Sequence, residues 1–381
     1  MREQHSYHND ISHKSLSKKT TDKLNRHLKQ SSLLISVLPL AACSGNKAEP
    51  DFIKTQSNVF TARDDAGRTL LEGSNTENLR VTGGKGNDLI TTGSGNDSII
   101  GGDGDDILNG GDGDDFIYGH PGADIIDGGA GDDFINGNAG ADILDGGDGI
   151  DMLSYHESPS AVNINLAANT ASGGDAQGDT INNFENVTGS YYDDIIIGDD
   201  QDNYLSGGSF LGASSGNDTL IGGGGDDVLF VGPGGQDILN GGSGDDMFIF
   251  EKIYSHDPNA IDTFDGGTGI DTLFFRDLYP IVRSFDFDFS MINASNIEIL
   301  DFTYNGVSKE DNITLTLTDI LDVTDGNNQL RIDGDANDSV TSTGQNWVQG
   351  ADQIIDGENY HVYGVGGATL LIDDDITQTI T

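Results

Sequence analysis

Between residues 83 and 154 an aspartate returns at every ninth position: Asp88, Asp97, Asp106, Asp115, Asp124, Asp133, Asp142 and Asp151. Carboxylates at one fixed period, with no Lys or Arg between Lys85 and Lys252, are suited to binding cations. Over the whole chain Asp and Glu number 64 against 18 Lys and Arg, a formal net charge of −46. Such a surface repels phosphate, which excludes nucleic acid and anionic lipid as charge-driven partners of the acidic region. The acids are set in glycine, as in GGDGDDILNGGDGDDFIYG (101–119). Glycine is the residue costliest to order, and neighbouring acids repel one another. A bound cation resolves the second difficulty and offsets the first. High charge with few apolar residues is otherwise the signature of disorder, so the cation-free chain is expected to be unfolded.

Other chemistry is poorly represented. No H-E-x-x-H occurs, and His156-Glu157 lacks the second His of a zinc site. GASSG (212–216) matches the G-x-S-x-G nucleophile elbow and would make Ser214 the nucleophile. It falls inside an insertion in glycine-rich sequence, without the strand-to-helix context that the elbow requires. His256 and His361 are isolated, and there is no Walker loop, CxxC pair or complete EF-hand pattern. These residues predict a non-enzymatic protein. The alternative is a secreted hydrolase with a site in the C-terminal region or between the repeat blocks.

The elements that must position the acids are eight gapless nonapeptides from Gly83 to Ser154. Position 4 is always Gly, position 6 always Asp, and position 8 always Ile or Leu: Ile90, Ile99, Leu108, Ile117, Ile126, Ile135, Leu144 and Leu153. A short strand at positions 7–9 alternates its faces, so position 8 points inward and positions 7 and 9 outward. Phe116 and Phe134, 18 residues apart at position 7, belong to adjacent rungs of one sheet. They form either a docking face or a local aromatic stack.

The eight nonapeptides resemble the G-G-x-G-x-D-x-U-x repeat of RTX proteins. The resemblance implies an all-β fold, a calcium-loaded parallel β-roll (β-helix) of nonapeptide repeats with a β-rich C-terminal module. Two nonapeptides make one coil in that family, with multiple Ca2+ ions held between turns stacked 18 residues apart. It implies that the eight position-6 aspartates ligate calcium, together with Asp194, Asp218, Asp227, Asp237 and Asp246 in a second, degenerate block and Asp271 in a single late copy, GGTGIDTLF. Asn203 stands where an Asp is expected, and GGSFLGASSGNDTLI carries six extra residues, so fewer or weaker ions are expected there. The physics is consistent with this picture. Calcium takes six to eight oxygen ligands, while two carboxylates on stacked strands about 4.8 Å apart repel by about 3 kcal/mol at an effective dielectric near 20.

The expected organisation is a basic N-terminal segment with a signal-like run (1–45), a linker or cap (46–82), repeat block one (83–154), a β-rich spacer (155–188), block two (189–250) and a β-rich C-terminal module (251–381). In the spacer, residues 162–166 and 183–187 alternate as strands; in the module, NITLTLT (312–318), QLRI, YHVY and ATLLI do so. Eight of the 18 basic residues lie in the first 47 positions. The run SLLISVLPLAACSGN (32–46) has the length of a signal-peptide core, and LAAC resembles the lipobox of bacterial lipoproteins, which makes Cys43 a lipidation candidate and a lipid anchor the one route to a membrane. A chance apolar run or a buried strand is the other reading. The tail resembles that of type I secretion substrates, which adds the type I secretion machinery as a partner. Both export routes place the repeats outside the inner membrane, in the extracellular space or on the bacterial surface, where an adhesive or structural role suits a calcium-stiffened rod.

Overall fold

The computed structural model describes residues 52–56, 59–62, 70–208, 216–232, 234–251, 261–276, 286–303 and 311–381. Cys43, Ser214 and His256 lie outside them. Two long parallel sheets face each other across a narrow core. The first passes through Arg80–Thr82, Ser98–Ile100, Phe116–Tyr118, Phe134–Asn136, Met152–Ser154, Asn186–Thr188, Tyr204–Ser206, Val228–Phe230, Met247–Glu251, Thr272–Arg276 and Ile299–Asp301. The second passes through Leu89–Ser94, Ile107–Asp112, Ile125–Ala130, Ile143–Asp148 and Thr180–Asn182, then through Ile195–Ile197, Thr219–Gly224, Ile238–Ser243 and Asp262–Thr268. Consecutive strands alternate between the sheets, so each coil takes two nonapeptides. This is a β-roll.

Position 8 builds the core. Ile90, Ile99, Ile117, Ile135, Leu144 and Leu153 are fully buried, and the same inward column continues through Ile181, Val187, Ile196, Leu205, Leu220, Leu229 and Leu239. Further along, the core turns aromatic: Phe250, Phe264, Phe275 and Phe302 fill it, with Phe275 and Phe302 stacked at 4.1 Å. Position 7 has two fates. On the second sheet Ile107, Ile125 and Ile143 are exposed. On the first sheet Phe116, Phe134, Met152, Tyr204, Val228 and Met247 are buried in a second apolar cluster. Phe116 and Phe134 pair in register and stack at 4.3 Å, with their planes 10° apart.

The spacer continues the coil. Asn163–Asn165 pairs parallel with Ile195–Ile197, and Asn186–Thr188 joins the first sheet. Thr170–Ser172 runs antiparallel to Asn163–Asn165 and bridges to Thr180, linking the halves of the second sheet. Beyond residue 300 the first sheet is extended in parallel by Gln329–Asp333 and Ala368–Asp373. A third parallel sheet forms from Asp286–Asp288, Asn312–Thr314, Ser339–Ser342 and Thr377–Ile380. QLRI, YHVY and ATLLI are strands as expected, whereas NITLTLT is one only in its first half. Leu317–Val323 is a helix because Thr316 and Asp319 form a capping box, each side chain accepting from the other's backbone amide.

Candidate metal centre

Each repeat aspartate spends one carboxylate oxygen on the protein. The backbone amide of Asp88 donates to Oδ1 of Asp106, Asp97 to Asp115, Asp106 to Asp124, Asp115 to Asp133, Asp124 to Asp142 and Asp133 to Asp151, all at 2.7–2.8 Å. The residue after each aspartate then donates to the carbonyl of the aspartate one rung back, as Ile125 does to Asp106. This clamp fixes the side chain and aims the second oxygen.

At Asp88 the Gly84 amide donates to Oδ2, but in the rungs that follow the second oxygen has no donor. Oδ2 of Asp97, Asp106, Asp115, Asp124, Asp133, Asp142, Asp151, Asp218 and Asp271 is buried and accepts no hydrogen bond. A buried carboxylate oxygen without a partner costs several kcal/mol, so nine in register call for a ligand. The glycines show what faces them. A Cβ on Gly119 would meet Asp124 Oδ2 and stand 2.8 Å from the Gly137 carbonyl oxygen, and one on Gly110 would meet Asp115 Oδ2 and the Gly128 carbonyl oxygen. Glycine at position 1 thus leaves a cradle where a carboxylate oxygen of one rung and a carbonyl oxygen of the next converge. The donor set is hard oxygen alone, which suits calcium. Among the described residues no cluster of three or more His, Cys, Asp or Glu side chains converges as a metal site; backbone carbonyls therefore have to supply much of the coordination.

Burial dominates the electrostatics. Loss of solvation, and then the charge of the aspartate one rung away, push Asp106 up to about 6, Asp115, Asp124, Asp133 and Asp151 to about 7, and Asp142 to about 8. The amide clamp opposes the rise without cancelling it.

The second block is less uniform. Asp218, Asp227, Asp237, Asp246 and Asp271 each clamp the preceding rung as in the first block. Asp194 differs: its carboxylate accepts from the Ser190 amide and hydroxyl as well as from the Val162 amide. At Asn203 the amide oxygen accepts from Asp199 while Nδ2 donates to the Glu185 carbonyl. Insertions do not break register. The clamp spans 18 residues in block one, 24 at Asn203–Asp227 and 25 at Asp246–Asp271.

Sequence reading missed six acids of the same kind, four in the repeat columns and two, Asp311 and Asp338, before strands of the third sheet. Asp179 clamps Asp142, Glu185 clamps Asp151, Asp262 clamps Asp237, Glu298 clamps Asp271, and Asp338 clamps Asp311. Each missed acid stands two residues before a buried Ile, Val, Phe or Leu: Ile181, Val187, Phe264, Leu300, Val340 and Ile313. That acid-x-apolar signal survives where the glycines are lost.

A sequence model of the RTX calcium-binding nonapeptide repeat matches four copies in this chain, at residues 82–117, 118–153, 182–210 and 213–235. These segments are RTX calcium-binding nonapeptide repeats. The RTX repeats form a β-roll whose oxygen-lined cradles are built for calcium. No curated protein matches the sequence. A solved structure, the extracellular lipase LipA from Serratia marcescens, is similar at 17% identity over 74% of this chain, with a TM-score of 0.17. The chain spans 38% of the length of that lipase.

Proposed function

We propose that this protein is an extracellular or cell-surface calcium-binding RTX protein of structural or adhesive, non-enzymatic role, whose roll forms on meeting millimolar calcium. The observation that carries the reading is the row of buried Oδ2 atoms without donors, each against a glycine cradle except that of Asp97, whose repeat has Thr92 at position 1. Asp97, Asp106, Asp115, Asp124, Asp133, Asp142 and Asp151 would hold calcium in the first block, Asp218, Asp227, Asp237 and Asp246 in the second and Asp271 in the late copy, with position-1 carbonyls completing each set. Asp88 begins one column, and Asp194, already saturated by Ser190, would bind weakly. Calcium supplies positive charge between carboxylates that otherwise repel.

The chain's own residues set the threshold. They clamp each carboxylate, exclude water from one side of it and keep a carbonyl opposite. Extracellular calcium modules bind at about 0.1–1 mM, so the folded state is pulled forward by mass action outside the cell and not in the cytosol. The signal-like run, Cys43 and type I export concern how the chain leaves. Among the described residues no helix is long and apolar enough to cross a membrane.

The test is a calcium titration of the purified protein followed by far-UV circular dichroism, with magnesium in parallel. A cooperative gain of β-signal near millimolar calcium, absent with magnesium, supports the proposal. A spectrum equally folded in chelator would overturn it.

A further inference from the structure

Position 2 of the nonapeptide is usually glycine. Gly102, Gly111, Gly129 and Gly147 hold φ between 107 and 119°, and a Cβ there would strike the carbonyl oxygen of the position-2 glycine one rung back. In two successive rungs of one turn column this glycine is replaced. His120 and Asn138 occupy it, at φ 69 and 60°. The next rung of the column carries His156, two residues past the strand Met152–Ser154 as Asn138 is past Phe134–Asn136. Non-glycine residues in the left-handed region are uncommon. Their appearance where the repeat prefers glycine points to a use for the side chains.

The side chains have unmet needs. Asn138 is 8% exposed. Its Nδ2 donates to Glu157 Oε2 at 3.1 Å, which fixes the amide orientation, and its Oδ1 is buried and accepts nothing. His156 Nδ1, one rung on, is buried without a partner as well. Burial lowers the His156 pKa, with Glu157 opposing it, and a neutral imidazole carries one nitrogen lone pair. Aromatic rings flank the pair: Tyr118 lies against His120 at 6.0 Å, and the exposed Tyr191 meets His156 edge-on at 5.2 Å. Glu157 and Asp175 make the surroundings negative, each near enough to raise a neighbour's pKa beyond what burial does: Glu157 those of Tyr118 and Asp175, and Asp175 that of Asp179.

We propose that Asn138 and His156, with Glu157 and the rings of Tyr118 and Tyr191, form a binding site for an organic cation bearing N–H donors, an alkylammonium or guanidinium group. The unmet Asn138 oxygen is an acceptor, His156 Nδ1 is one in the tautomer that carries its proton on Nε2, and the nearby charges are acidic. A ligand that only donates satisfies them, and its positive charge gains from the carboxylates and from the ring faces. A neutral sugar hydroxyl needs acceptors and donors together. Calcium prefers oxygen and gains little from an imidazole nitrogen.

The full chain, with calcium held well above its folding midpoint, is titrated by calorimetry with arginine amide, lysine amide and methyl glucoside. Saturable binding of the two amides is expected, with at least tenfold weaker binding in Asn138→Gly and Glu157→Gln. Asn138→Gly restores the repeat's own residue at a φ that glycine accepts, and its calcium midpoint by circular dichroism should match the parent. Tighter binding of an arginine-containing tripeptide than of arginine amide assigns a side chain of a protein partner, and equal binding assigns a free amine. Either supports the site. Absence of saturable binding, unchanged affinity in both variants, equal binding of methyl glucoside, or displacement of the amides by further calcium overturns it.

Discussion

The backbone amide of Asp115 donates to Oδ1 of Asp133 at 2.7 Å, one coil further along, while Oδ2 of the same carboxylate has no donor. One oxygen therefore holds the fold together and the other makes it dependent on an ion. The two roles can be separated by substitution.

Asp133→Asn keeps an oxygen for the Asp115 amide and removes the charge. The calcium midpoint should rise, roughly tenfold for the cradles that lose this ligand, given how ligand charge tunes such sites. In chelator the same variant should be no less folded than the parent, because a repulsion has been removed. A simultaneous loss of β-signal in chelator would show that the clamp, and not the ion, had been damaged.

Asp115→Ala with Asp133→Ala takes two successive rungs from one column. Asp194→Ala with Asn203→Ala takes two positions whose side chains are occupied by protein groups. The first pair should shift calcium-induced folding to higher calcium by more than the second. Equal shifts would mean that the perfect block is not where folding is decided.

Gly119→Ala would place a methyl against Asp124 Oδ2 and the Gly137 carbonyl oxygen. It should weaken calcium-induced folding. Gly326→Ala, with nothing within 4 Å of its Cβ, should not. Calcium titrations of the two variants followed by circular dichroism make the comparison.

The pH dependence has a definite sign. Asp115, Asp133 and Asp151 are raised to about 7 and Asp142 to about 8 by burial and neighbouring charge. A raised carboxylate favours the fold in its protonated form, a contribution whole below about pH 4 and lost as pH rises through 7–8. In chelator, acidification from pH 8 to pH 5 should therefore increase β-signal. With calcium present the ion competes with those protons, and the midpoint should move to higher calcium over the same interval. A midpoint independent of pH would mean that the carboxylates stay ionised without metal.

A hydrolase screen in calcium, across esters, peptides and glycosides, should return no turnover. Activity that vanishes with a single substitution outside the repeats would establish the catalytic alternative.

The first block was legible because its function and its fold use the same letters. Asp at position 6, Ile or Leu at position 8 and glycine between them encode ligand, core and turn at once. Elsewhere the letters separate. Asp179 and Asp338 keep the clamp but stand in turns where glycine has given way to other residues, as Ala336 shows, so periodicity cannot find them. Leu317–Val323 was hidden by an alternation that suits a strand until Thr316 and Asp319 cap a helix. The burial of Phe116 and Phe134 depends on which of the two sheets a position-7 side chain faces out from, and that is decided by the parity of the coil, not by any one repeat.

The clamp also has a direction. In every column the amide belongs to the earlier rung and the carboxylate to the later one, from Asp88 on Asp106 through to Asp271 on Glu298. A second ladder runs the other way: one position earlier in the repeat, the later rung's amide donates to the earlier side chain, Ala123 to Asp105 and Ile150 to Asp132. Each new rung therefore meets a partner whichever end of the chain leads. A copy cut short after Asp151 would leave the Asp142 and Asp151 amides waiting for Asp179 and Glu185.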